Sequence, residues 1–139
     1  MYLVDTNVIS EARKRSKANQ GVRAFFKQVI EDETPTFISV ITVSELRRGV
    51  DLIRYRGDSG QADRLEKWLV ALLGEYQGQI LDINRDIAQL WGRLRVPHPE
   101  NVLDKQIAAT ALIYDLTVVT RNSKDFAGAG VRVLNPFEI

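Results

Sequence analysis

At 139 residues the chain is about the size of one domain, and its 45% hydrophobic content supplies material for a core. It has no cysteine and one histidine, which excludes disulfides, thiolate nucleophiles, cysteine-ligated zinc and chemistry needing a histidine pair. The 19 basic and 18 acidic residues leave a net charge of +1, so a uniformly basic face that holds nucleic acid by charge alone is not implied.

No stretch approaches the roughly 20 apolar residues that span a bilayer. The N-terminal MYLVDTNVIS lacks a basic segment followed by an apolar run, so it does not read as a secretion signal. The expectation is a soluble, cytoplasmic protein without a membrane partner, which also suits a chain free of cysteine. Residues 1–139 are read as a single domain, since repeats, low-complexity stretches and linkers are missing.

In chain order, Tyr2-Leu3-Val4 is an apolar run that stops at Asp5 and reads as a buried strand. Helical spacing follows from about Asn7, and again over 21–31, where Val22, Phe25, Phe26, Val29 and Ile30 share a face. Phe37-Ile38-Ser39-Val40-Ile41 reads as the second strand, and Thr42 as the opening of a helix through Leu46, Val50 and Ile53. A turn is expected at Gly57-Asp-Ser-Gly60, then a helix over about 61–74 carrying Leu65, Trp68, Leu69, Leu72 and Leu73. Gln79-Ile-Leu-Asp-Ile83 is strand-like. Ile87, Leu90, Trp91 and Leu94 mark another helix, which Pro97 and Pro99 end; His98 between them reads as a loop residue. A helix over about 102–114 leads to the strand Leu116-Thr-Val-Val-Thr120, and Val131-Arg-Val-Leu134 is the last strand. Strands alternating with helices predict an α/β fold with a mainly parallel sheet covered on both faces.

Four acids fall where such a sheet places an active site, near strand ends or the helix starts beyond them. They are Asp5 after YLV, Glu45 one turn into the helix after FISVI, Asp104 at the head of DKQIAATALIYD, and Asp125 five residues after LTVVT. Gathered carboxylates raise one another's pKa unless a cation sits among them, and a hard, oxygen-preferring ion such as Mg²⁺ or Mn²⁺ removes that penalty. Such an ion activates water and stabilises charge on a phosphate. Structural roles compete at this level. Thr42-Val-Ser-Glu45 also fits a capping box, Asn101-Val-Leu-Asp104 is a similar pattern, and Asp125 fits an ordinary turn. Asp5 is the hardest to explain structurally, because aspartate is depleted in strands. Asp82 and Asp86 read as solvated or capping residues. The basic runs Arg13-Lys-Arg15 with Lys17, and Arg47, Arg48, Arg54 and Arg56, fit either a solvated helix face or phosphate contacts.

Val4-Asp-Thr-Asn-Val-Ile-Ser-Glu11, Ile41-Thr-Val-Ser-Glu-Leu46, Asp104-Lys-Gln-Ile-Ala-Ala-Thr-Ala-Leu112 and Thr120-Arg-Asn-Ser-Lys-Asp-Phe126 resemble, in order, the successive motifs of PIN-domain nucleases, closest to VapBC-type toxins including FitB-like members. The closing Val133-Leu-Asn-Pro-Phe137 is similar to the end of such toxins. The resemblance implies a three-layer α/β/α fold and an Mg²⁺- or Mn²⁺-dependent endoribonuclease, a hydrolase of RNA phosphodiesters. By motif, Asp5, Glu45, Asp104 and Asp125 match the acidic metal-binding positions. Thr6, Asn7, Thr120 and Asn122 match polar residues around them. The resemblance further implies a homodimer that is the toxin of a type II toxin–antitoxin pair, bound by its antitoxin and reaching operator DNA only through it. Helices at 21–31 and 45–56 are the expected antitoxin contact surface. Two departures are the short Arg93–Glu100 connection and Asn84 where many relatives carry aspartate. Two alternatives are an inactive PIN-like module that binds RNA or protein, and a haloacid-dehalogenase-type phosphatase. The latter needs a second acid at position 7, which is Asn7 here.

Overall fold

The computed structural model describes residues 1–138. Among them, strands β1 (Tyr2–Val4), β2 (Thr36–Ser39), β3 (Ile80–Leu81), β4 (Thr117–Val119) and β5 (Val133–Leu134) pair in parallel in the order β3-β2-β1-β4-β5. Helices α1 (Thr6–Ala12), α2 (Gln20–Glu31), α3 (Val40–Tyr55), α4 (Ser59–Glu75), α5 (Arg85–Leu94) and α6 (Val102–Tyr114) connect and cover them. The expected α/β/α architecture is therefore present.

The layering follows from side-chain alternation along each strand. Val4, Ile38 and Val119 face a core built with Val8 and Ile9 of α1, Val22, Phe25 and Val29 of α2, and the inner faces of α3 and α4. Leu3 and Val118 point the other way, onto Ile107, Ala108 and Ala111 of α6, with Phe37, Leu81 and Leu94 packed alongside. Alanines on α6 let that helix lie close to the sheet. With every strand parallel, all carboxyl ends share one edge. The chain runs outward from β1 through β2 to β3, then returns to β4 on the other side of β1. The crevice beyond β1 and β4 is thus the topological switch point, where sheets of this type bind ligands.

The boundaries differ where short-range signals conflict. The β-branched run at 37–41 reads as strand throughout, yet β2 stops at Ser39. Ser39 is extended, and its Oγ accepts from the Ile41 N–H at 3.1 Å, capping α3 from inside the run. The helix so begins at Val40, two positions before Thr42. Likewise Asp58 caps the Gln61 N–H at 3.1 Å, so α4 starts at Ser59 and takes Gly60 into its first turn. The outer strands β3 and β5 are two residues long each, shorter than their apolar runs suggest.

A 3₁₀ turn at Pro136–Glu138 brings the C-terminal segment back onto α2. The approach is close enough to require glycine there: a Cβ at Gly21 would lie 1.9 Å from the Pro136 carbonyl oxygen. Because that obstacle is backbone, it cannot rotate away. Gly21→Ala is expected to destabilise the fold by about 1–3 kcal/mol despite alanine's better helix propensity, read as a lower urea midpoint. An unchanged or raised midpoint would show that the turn does not pack as described.

Candidate active site

Asp5 is held at the switch point by both its backbone and its carboxylate. Its N–H donates to the Val119 carbonyl at 2.9 Å, joining the ends of β1 and β4. Its Oδ1 accepts from the Thr6 N–H at 2.8 Å, which makes it the N-cap of α1. Its Oδ2 accepts from Thr120 Oγ1 at 2.8 Å and from Asn7 Nδ2 at 3.4 Å. Thr120 is positioned in turn: its Oγ1 accepts from the Asn122 N–H at 3.0 Å. Asn122 therefore enters through its main chain, and its exposed side chain makes no cap bond. Asn7 also uses its Oδ1, which accepts from the Arg121 N–H at 3.1 Å. Position 7 is occupied by a neutral bridge, not the second acid of a dehalogenase-type phosphatase.

Glu45 reaches this cluster from α3. Its Oε1 accepts from Thr6 Oγ1 at 2.9 Å, and Thr6 Oγ1 also lies 3.2 Å from the buried Thr42 Oγ1. The capping-box alternative fails here, because Ser39 caps α3 and Thr42 lies inside the helix. It fails at Asp104 also: Asn101 adopts a left-handed conformation (φ 56°) and makes no side-chain cap bond. Asp104 stands in the first turn of α6, and Asp125 in a 3₁₀ turn at Ser123–Phe126. Short-range structure explains neither carboxylate.

The electrostatics tie the four together. Asp104 is pushed up to about 6, first by burial and then by repulsion from Asp5, Asp125 and Glu45. Burial likewise raises Asp5, against the lowering effect of its bonds from Thr120, Thr6 and Asn7, with Asp125 adding to the rise. Glu45 is raised by burial and by Asp5, opposed by the Thr6 bond. None of the ion pairs within 4.0 Å among the described residues involves any of these four acids. Two of the four arginines after Glu45 are engaged elsewhere. Arg47 pairs with Glu66 at 2.6 Å and Arg54 with Asp63 at 2.9 Å, tying α3 to α4. Helix N-termini offset part of the repulsion, since Asp5 caps one and Asp104 lies in the first turn of another.

Two groups behind this edge escaped the motif reading. Gln106 is fully buried; its Oε1 accepts from Ser39 Oγ at 3.1 Å and its Nε2 donates to Thr110 Oγ1 at 3.0 Å. It thereby ties the α6 turn that carries Asp104 to the start of the helix that carries Glu45. A lone glutamine within the apolar Ile107-Ala-Ala stretch was the available signal. Arg121 is the second. Away from the carboxylates, a groove of about 770 Å³ runs between α1, α2 and α4, with Ile9, Phe26, Val29, Trp68 and Leu72 on its walls.

A family described as PIN domain matches residues 2–130. The toxin FitB of Neisseria gonorrhoeae is 36% identical over 143 residues, and the VapC ribonuclease Y4jK of Sinorhizobium fredii 34% over 146, each alignment covering 99% of both chains. Among solved structures, FitAcB from Neisseria gonorrhoeae superposes with a TM-score of 0.86 at 34% identity, covering 100% of both chains. FitAB bound to an IR36 DNA fragment gives 0.80 at 32% identity, with coverage of 100% and 97%. A toxin–antitoxin complex from Klebsiella pneumoniae gives 0.66 at 30%, again over 100% of both chains. With its fold, its acidic edge and matches along almost all of its length, the chain belongs to the PIN domain family.

Proposed function

We propose that this protein is a divalent-metal-dependent endoribonuclease and the toxin of a type II toxin–antitoxin pair. The observation that carries the reading is Asp104, pushed up to about 6 by burial and by three other carboxylates, with no cationic side chain paired to the group. Such a donor set fits a hard cation, which would relieve the repulsion. Among the described residues no three acids converge tightly enough to enclose an ion with protein oxygens alone. An Mg²⁺ or Mn²⁺ ion here would therefore be held by one or two carboxylates and complete its shell with waters.

Asp5 and Asp104 would hold the principal ion, with Glu45 and Asp125 completing the shell through waters. Once bound, the ion supplies water of lowered pKa and charge stabilisation at the phosphate. The remaining work falls to the chain. Thr120, Thr6 and Asn7 fix the Asp5 carboxylate by donating to it. Thr6 Oγ1 donates to Glu45 Oε1, which leaves Oε2 to take the proton of the attacking water; its raised pKa makes it the better base. With the lone His98 in an exposed loop, attack by the RNA's own 2′-hydroxyl lacks a histidine base. The products are therefore a 5′-phosphate and a 3′-hydroxyl.

The groove between α1, α2 and α4 supports an antitoxin partner. Its walls are apolar, while Arg13, Arg15, Arg64 and Lys67 stand along it, which favours an acidic amphipathic segment. On this reading the contact surface would be the groove walls of α2, α1 and α4, with α2 shared with the expected surface and α4 in place of the 45–56 helix. Homodimer formation, operator DNA contact through the antitoxin and a cytoplasmic site of action belong to the same reading. No helix among the described residues is long and apolar enough to cross a membrane.

Cleavage of single-stranded RNA with Mg²⁺ is expected to stop on chelation and to fall at least about 100-fold in Asp5→Asn and Asp104→Asn. Thr120→Val, which removes only an orienting hydroxyl, is expected to cost about 10–100-fold. Full activity in Asp104→Asn, or 2′,3′-cyclic phosphate ends on the products, would remove this mechanism. A second measurement concerns the metal-free protein. The folded pKa of Asp104 lies above its ordinary 3.8, so the folded chain holds an extra proton between 3.8 and about 6 and loses stability as pH rises through that window. Asp104→Asn lacks this loss. Its melting temperature should draw ahead of wild type as pH rises and stay ahead above about 6, whereas a constant difference across pH would contradict the clustering.

A further inference from the structure

On the segment that leaves β4 next to Asp5 stands a cation that, among the described residues, pairs with no acid. Arg121 directly follows Thr120, whose hydroxyl donates to Asp5. Its guanidinium is exposed and, among the described residues, makes neither an ion pair nor a hydrogen bond; it lies over the Phe137 ring, 4.6 Å from the centroid. The backbone is pinned on both sides. The Arg121 N–H donates to Asn7 Oδ1 at 3.1 Å, and its carbonyl accepts from Asn135 Nδ2 at 3.3 Å. Asn135 Oδ1 in turn accepts from the Phe137 N–H at 3.0 Å, so one side chain sets both the arginine and the ring beneath it. Phe137 packs on the α1–α4 core, and the turn that carries it rests on Gly21. The closing Asn-Pro-Phe motif thus builds a platform for Arg121.

We propose that Arg121, stacked on Phe137, is a substrate anchor that grips an RNA backbone phosphate next to the scissile bond, a role that rests on the nuclease reading above. Stacking engages the guanidinium's face and leaves its N–H groups free in the plane, the geometry that binds phosphate through two parallel bonds. A ring beneath the charge also restricts its rotamers, so less entropy is lost on binding than for a free surface arginine. The anchor answers an electrostatic need. Acids gathered at one edge repel a polyanion, and a fixed positive group on the neighbouring segment draws the strand in without neutralising them. Lysine cannot replace it fully, being a point charge without the planar fork. The smaller lowering that Arg121 adds at Glu11, after the larger effects of Lys14 and Asn19, places its charge within reach of the α1 edge.

Steady-state cleavage of a fluorescent single-stranded RNA oligonucleotide with Mg²⁺ tests this. Arg121→Ala is expected to raise KM about 10-fold or more while kcat stays within about twofold, the loss of one charged bond pair to the ground state. The slope of log(kcat/KM) against log salt should become shallower by about 0.7, the share of one phosphate contact on a single strand. Arg121→Lys should keep the salt slope and still raise KM. Phe137→Leu, which retains apolar packing without the π face, should raise KM with Arg121 intact. An unchanged KM in Arg121→Ala, or a fall in kcat alone, overturns the anchor and leaves the nuclease reading standing. If the wild-type protein cleaves nothing with Mg²⁺ or Mn²⁺, both fall together.

Discussion

The architecture turns on how Asp5 is held charged-capable yet buried. A carboxylate taken out of water is costly unless donors replace the lost hydration. At Asp5 they do: a helix N–H, a threonine hydroxyl and an asparagine amide all converge on it. They come from two commitments of the fold, with Asn7 on α1 beside the N–H. The N–H belongs to α1, which can begin there only because β1 has ended. The hydroxyl comes from Thr120, available only because β4 lies beside β1. The parallel pairing and the polar edge are therefore one arrangement, and neither can be altered without the other.

Charge is distributed to protect that arrangement. The chain is nearly neutral, so its acids could have been quenched by its own bases. Instead Arg47 and Arg54 are occupied by Glu66 and Asp63 across the α3–α4 pair, and Lys14 by Glu11. Such exposed pairs contribute little to stability. Their effect here is local: they join α3 to α4 and hold Lys14 on the last turn of α1. The Ser39–Gln106–Thr110 chain does the complementary task inside, fixing two of the acid-bearing helices with neutral groups.

Much of this was legible before any coordinates. Apolar runs broken by acids marked β1 and β4, and the spacing of the later acids placed all four near strand ends. What could not be read were features decided by partners distant in sequence. The run Val40-Ile-Thr-Val favours strand locally, but Ser39 caps it, and Ile41 and Val43 are partly buried against different cores, so tertiary context overrides propensity. Glu45 looked like half of a capping box because its true partner, Thr6, lies 39 positions away. Asn122 was legible as a polar neighbour, though not as one acting through its amide. Arg121 looked like any surface arginine, because Phe137 approaches it only once the C-terminal turn has docked.

The direction of β1 has a practical corollary for handling the protein. Met1 begins at the edge of the sheet opposite Asp5, its carbonyl accepting from the Thr117 N–H. Toward the other end of the described residues, Phe137 lies under Arg121, which follows Thr120. An affinity tag or fluorescent fusion placed before Met1 therefore leaves from the sheet edge remote from Asp5, while one joined at the tail follows directly on the turn that supports Arg121.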